Sequence, residues 1–222
     1  MSVARQVRIS FRAKGLGLEG VISHPQGLSG PMPGILLCHP EPHLGGTMES
    51  AVIQALARAL SGRGFLVLRF NYRGVGQSEG KFSMGVGELE DARAAFKVLR
   101  TWPGVDGDRM GIAGYSFGAG IAVRAALREK AIQAAVAVSP PLTLPPLGLQ
   151  GVKGLESTQL PLLFLIGGKD GLTSPGELQA WFERLGNSKL RLAVVPGADR
   201  SWQGHVIEMA GQAARFLVEA LA

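Results

Sequence analysis

Along most of the chain, apolar runs the length of a strand alternate with stretches of helical spacing. Val7–Arg12 and Leu16–His24 alternate apolar with polar residues, which predicts two antiparallel strands turning near Lys14-Gly15. Gly34–His39 and Phe65–Phe70 are almost continuously apolar, the pattern of strands buried on both faces. Between them, Val52, Ile53, Leu56, Ala59 and Leu60 recur at helical spacing within Met48–Ser61, and Gly62-Arg63-Gly64 ends the helix. A glycine-rich loop is predicted for Asn71–Gly87. Glu88–Trp102 then carries Leu89, Ala92, Ala95, Phe96 and Leu99 on one stripe, with Pro103-Gly104 as its stop.

The second half continues the alternation. Arg109–Tyr115 reads as a buried strand, and Ala119–Arg128, apolar and rich in good helix formers, as a helix. Ile132–Ser139, Leu162–Ile166 and Leu190–Val195 are further strands, with helices over Pro175–Leu185 and Gly204–Leu221. Leu142–Leu160 is rich in proline and glycine and predicts no clear helix. Strands alternating with helices imply a mostly parallel, doubly wound sheet with helices on both faces. No internal repeat and no linker divide the chain, so one domain over residues 1–222 is expected.

Composition narrows the class. Apolar residues make up 46% and charged residues 18%, which suits a globular protein and not a disordered one. No run reaches the 18 or so uninterrupted apolar residues of a membrane span. Met1–Phe11 mixes Arg5, Gln6 and Arg8 with single apolar residues and does not resemble a signal peptide. The one cysteine, Cys38, cannot form an internal disulfide and reads as a buried core thiol. A cytoplasmic location is the resulting expectation. The net charge of +6 is spread over scattered Lys and Arg without aromatic interleaving, so it reads as solvated surface and not as a nucleic-acid face.

The chemistry concentrates at Gly114-Tyr115-Ser116-Phe117-Gly118, a match to the G-x-S-x-G nucleophile elbow. A serine at the tip of a tight strand-to-helix turn is forced into a strained conformation, and glycines on either side let neighbouring segments pass close by. The predicted strand before it and helix after it are the context the motif requires. Ser116 is therefore the candidate nucleophile, and it needs a base to become effective. The glycines of Arg73–Gly80 lack the lysine spacing of a phosphate loop, and no Cys/His cluster has zinc spacing. No metal or cofactor is expected.

This order of elements around G-Y-S-F-G resembles the α/β-hydrolase family over nearly the whole chain. Cys38-His39-Pro40-Glu41-Pro42-His43-Leu44-Gly45-Gly46-Thr47-Met48 is similar to the H-P-x-P-x-x-G-G-T-M loop of a subgroup of small bacterial hydrolases. Phe70-Asn71-Tyr72-Arg73-Gly74-Val75-Gly76-Gln77-Ser78-Glu79-Gly80 resembles the family's F-N-x-R-G-x-G-x-S-x-G loop. The resemblance implies the α/β-hydrolase fold, with Ser116, an acid and a histidine following in that chain order.

Asp170, in Ile166-Gly167-Gly168-Lys169-Asp170-Gly171, resembles the family's acid; a plain Asp-Gly turn is the alternative. The family histidine follows the last strand in a stretch like P-G-A-D-H-F-F. Here the stretch is Pro196-Gly197-Ala198-Asp199-Arg200-Ser201-Trp202, so Arg200 stands at the histidine's place. Arginine stays protonated and cannot be the base. His205 is the one histidine after Asp170 and becomes the candidate, with a surface or first-turn helix histidine as the alternative. If residues 200–205 were helical, it would be displaced by roughly 7 Å at about 1.5 Å per residue. A curled loop, helped by Gly204, lets it return to the serine.

The backbone N–H groups of Glu41 and Phe117 are the implied oxyanion donors. His39 is expected to shape its loop. His43 is expected to line the pocket, or to act as a substitute base, with Tyr115 and Arg200 also placed beside the pocket. His24 reads as structural. The short segment between Ser139 and Leu162 leaves room for a minimal lid or none. The resemblance thus implies a serine hydrolase working through an acyl-enzyme, read here as a carboxylesterase, and the little room for a lid favours small or short-chain acyl esters. A peptidase or lactonase of the same fold stays open, as does a homo-oligomer. Arg200 motivates an alternative from another class, a catalytically impaired hydrolase-fold protein used for binding or as a scaffold.

Overall fold

A computed structural model describes residues 4–28, 30–144 and 148–222. The first three residues of the N-terminal stretch, and residues 145–147 within the predicted helix-free segment Leu142–Leu160, lie outside the described residues.

Eight strands form one sheet: β1 (Arg5–Ala13), β2 (Leu16–His24), β3 (Met32–Cys38), β4 (Leu66–Phe70), β5 (Val105–Tyr115), β6 (Ala134–Val138), β7 (Leu162–Lys169) and β8 (Leu190–Asp199). Their spatial order is β1-β2-β4-β3-β5-β6-β7-β8. The first two pair antiparallel with each other and β2 pairs antiparallel with β4; from β4 to β8 every neighbour is parallel. The helices are α1 (Ala51–Ser61), α2 (Val86–Arg100), α3 (Phe117–Arg128), α4 (Pro175–Leu185) and α5 (Val206–Ala220).

The alternating faces of the sheet feed two cores. Ile35, Leu37, Val67, Val136 and Leu165 pack with α1 and α5, while Leu36, Leu68, Ile112, Ala135 and Phe164 pack with residues of α2, α3 and α4. Ile35, Leu36 and Leu37 are fully buried, each such side chain contributing about 1.5–3 kcal/mol of apolar transfer. The doubly wound reading is therefore the observed architecture.

Several boundaries differ from the sequence pattern, each for a tertiary reason. Helix α1 starts at Ala51 and not at Met48, because Met48 N–H donates to Asn71 Oδ1 and Thr47 N–H to Ser50 Oγ, which holds the preceding residues in a turn. Helix α2 begins at Val86, since the buried Glu88 carboxylate accepts from Ser83 and Gly85 N–H and closes the first turn. Strand β5 begins at Val105, where Met32 and Pro33 of β3 supply parallel partners. Helix α5 begins at Val206 with His205 as its N-cap. Within the predicted helix-free segment, residues Leu149–Gly151 form one short 3-10 turn.

Candidate active site

Ser116 stands at the carboxyl end of β5, between Tyr115 of the strand and Phe117 of α3. Its φ of 55° and ψ of −117° are strained for a residue with a side chain, at roughly 1–3 kcal/mol. The glycines of the motif have a steric cause. A Cβ on Gly114 would lie 2.0 Å from Gly118 O, and one on Gly118 would lie 2.2 Å from Cys38 O. Ser116 N–H is held by Val138 O of β6 at 2.9 Å, so the elbow is braced from both sides.

The loop after β3 lies against this elbow. His39 is fully buried and ties two loops together: its Nδ1–H donates to Pro40 O at 2.7 Å, and its Nε2 accepts from Tyr72 N–H at 3.1 Å. Burial pushes its pKa down to about 4, so the ring is neutral and fixed in one tautomer. Gly46 N–H donates to Glu41 O at 2.9 Å, and a Cβ on Gly46 would strike Pro40 O. Among the described residues the N–H groups of Glu41 and Phe117 have no protein acceptor. Burial also raises the Cys38 thiol to about 12, which makes it inert.

The register of β7 and β8 sets the other half of the site. Lys169 pairs with Asp199 across that parallel ladder. Asp170 and Arg200 are the next residue on each strand, and they emerge side by side. A Cβ on Gly167 would lie 2.4 Å from Ala198 O, so this close approach needs glycine. The Asp170 side chain is fully buried, and its Oδ1 accepts from Leu172 and Thr173 N–H at 3.0 and 3.2 Å.

Arg200 joins the two halves. Its Nη1 donates to Asp170 Oδ1 and Oδ2 at 3.1 and 3.2 Å, and its Nη2 donates to Ser116 Oγ at 2.9 Å. Two latches hold the arginine's loop. Tyr115 O–H donates to Arg200 O at 2.8 Å, and the buried Trp202 indole donates to Ser139 Oγ at 3.1 Å. Trp202 itself has a φ of 62°, an unfavourable conformation that its burial enforces.

The structure does not bring His205 to Ser116 or Asp170. The curled loop allowed by Gly204 does form, with Trp202 N–H on Asp199 O and His205 N–H on Trp202 O. It ends with the imidazole near Gly197 and facing Glu208, whose Oε2 lies 3.5 Å from Nδ1. The Trp202 ring takes the buried position of this loop, and His205 follows it as the N-cap of α5. His43 is exposed and packs edge-on to Phe82, with centroids 4.4 Å apart; Phe82 in turn meets Phe117 at 5.6 Å. It shapes a groove of about 600 Å³ beside the two motif loops, with Pro42, Val75, Lys81 and Phe82 among its walls. Among the described residues it makes no hydrogen bond with Ser116. His24 stays on β2, with Nδ1 at 2.9 Å from Pro25 O.

Sequence reasoning missed the bridging role of Arg200 and the parts played by Trp202 and Ser139. One signal was available for Trp202, a lone large aromatic among polar residues after the last strand. No group of three or more His, Cys, Asp or Glu able to hold a metal occurs among the described residues, and none of their helices is long and apolar enough to cross a membrane.

Comparison with known proteins bears on the fold. A family model described as serine aminopeptidase, S33 matches residues 35–155. An uncharacterised protein of Rickettsia prowazekii is 34% identical over 169 residues, which span 74% of this chain and 69% of the relative. Among solved structures, an α/β serine hydrolase homologue from Coxiella burnetii is 31% identical with a TM-score of 0.82, covering 94% of this chain and 96% of that one. A lidless α/β serine hydrolase from Xanthomonas campestris is 27% identical with a TM-score of 0.84, covering 98% and 95%. The fold is that of the α/β hydrolases.

Proposed function

We propose a function from one premise: the chain belongs to the serine aminopeptidase S33 (Hydrolase_4) family of serine hydrolases. It is an ester-binding serine hydrolase of low turnover, in which Ser116 accepts the acyl group without a general base. The carrying observation is the hydrogen bond that Arg200 Nη2 gives to Ser116 Oγ. A guanidinium has no lone pair for the serine proton, so that proton must leave to water or hydroxide as Oγ attacks the carbonyl carbon. The amides of Phe117 and Glu41 take the negative charge that develops on the carbonyl oxygen.

The missing base lowers the rate by about 10²–10⁴-fold. Positioning and oxyanion donors alone retain about 10³–10⁴-fold over water in a comparable triad. The same absence favours esters over peptides, because no residue can protonate a leaving amine, whereas an activated alkoxide or phenolate departs unaided. Short-chain acyl groups suit a site with little chain available for a lid.

The test is hydrolysis of p-nitrophenyl butyrate together with mapping of a fluorophosphonate label. Slow turnover lost in Ser116→Ala, with the label on Ser116, supports the reading; unchanged activity in Ser116→Ala contradicts it. A second reading, an ordinary carboxylesterase with His205 as base, rests on that residue's place after Asp170 in the chain order. It predicts fast turnover abolished by His205→Ala.

A further inference from the structure

The one side-chain hydrogen bond to Ser116 Oγ among the described residues comes from a donor, Arg200 Nη2. In a Ser-His-acid triad the imidazole nitrogen accepts the serine hydroxyl hydrogen. Here Arg200 Nη2 donates to Oγ, and among the described residues the Ser116 hydroxyl hydrogen has no protein acceptor. Arg200 has five N–H donors. Two nitrogens serve Asp170 and Ser116, while Nε–H and the second Nη2 hydrogen have no acceptor among the described residues. The amides of Glu41 and Phe117 add two more unpaired donors. A neutral ester carbonyl satisfies such a set poorly, and an anionic acceptor satisfies it well.

Charge points the same way. An ionised acid with a neutral imidazole leaves one negative charge beside the serine. Asp170 with Arg200 leaves none, so the repulsion that an ordinary triad exerts on an anion is absent. The Asp170 oxygens are already occupied by Arg200 and by the N–H groups of Leu172 and Thr173. Burial raises the pKa of Glu41, the acid on the loop after β3. The Tyr115 and Trp202 latches hold the arginine in place before any ligand arrives, so little ordering is needed on binding.

We propose that this site binds a free organic carboxylate, the acid that ester cleavage leaves behind, through the Arg200 guanidinium, the Ser116 hydroxyl and the amides of Phe117 and Glu41. The inference rests on the reading that Ser116 lacks a general base. It adds that the bound state is a stable anion complex and not a transient of turnover.

Calorimetric titration of the full chain with sodium butyrate, and with butyramide as the neutral control of similar shape, tests this. Butyrate is expected to bind at least about tenfold more tightly than butyramide and to weaken with added salt. It is also expected to slow phosphonate labelling of Ser116. Arg200→Met should erase the preference, and Arg200→Lys, which keeps the charge but not the fork, should retain part of it. Equal binding of butyrate and butyramide by the unaltered protein overturns the inference and leaves the proposed function standing. Butyrate binding retained in a folded Arg200→Met protein overturns it as well. Rapid ester turnover with an imidazole-type pH profile instead removes the reading on which the inference rests.

Discussion

The guanidinium of Arg200 gives a hydrogen bond to the Ser116 hydroxyl oxygen at 2.9 Å, where an activating base would take one. The elbow is intact around it, strained at Ser116 and closed by Gly114 and Gly118. Its chemistry is altered at one position, and most of the expected behaviour follows from that.

The pH profile of ester cleavage should lack an imidazole. With the serine proton leaving to water or hydroxide, the rate on p-nitrophenyl butyrate should climb steadily with pH, with no plateau above an inflection near 6.5, the usual histidine value. Initial rates from pH 5.5 to 9 check this. A sigmoid levelling near pH 7 would place a histidine in the mechanism.

His205→Ala should leave activity within about twofold, as expected for a residue outside the reacting atoms. The imidazole faces Glu208 at the start of α5 and not the serine. Steady-state kinetics of the variant decide the point, and a loss of a hundredfold would restore the carboxylesterase reading through His205.

Trp202→Ala should destabilise the protein by about 3–5 kcal/mol, the usual range for removing a large buried aromatic. The indole is fully buried and its N–H is bonded to Ser139. Urea unfolding measures the loss. At low denaturant the same variant should also lose the butyrate preference, because the loop that carries Arg200 is freed.

Much of this was legible in the chain, and the exceptions have physical causes. Strands β3, β4, β6 and β7 and the second half of β5 announce themselves as apolar runs because both faces of a doubly wound sheet are covered there. The elbow was readable because its glycines answer a local steric demand. That Arg200 occupies the histidine's place was readable from the register of Pro196–Trp202. That it bridges Asp170 and Ser116 was not, since this depends on the pairing of Lys169 with Asp199, a contact between strands far apart in sequence. The place of His205 was equally hidden, because it is decided by which side chain of the loop enters the core. The first turn of α1 was misplaced because Met48 is held by Asn71, a partner that periodicity cannot reveal.

His39 should couple stability to pH. Its ring is buried and neutral, with a pKa lowered to about 4 from 6.5. As pH falls below 6.5 the unfolded chain takes up the proton and the folded one does not. The stability present above pH 6.5 therefore declines between 6.5 and 4, by roughly 3 kcal/mol. Urea unfolding at pH 7.5 and 4.5 should show a smaller difference in His39→Gln than in the unaltered chain. Equal differences would mean that the ring is not held neutral.

The most direct test is the kcat/KM of Arg200→His on p-nitrophenyl butyrate. An imidazole beside Asp170 would supply the acceptor that Ser116 lacks, so the account predicts a gain of about 10²–10³-fold and a new inflection near neutral pH. An Arg200→His protein that is folded, binds butyramide normally and yet turns over no faster than the unaltered chain would contradict the claim that Arg200 holds Ser116 without a base.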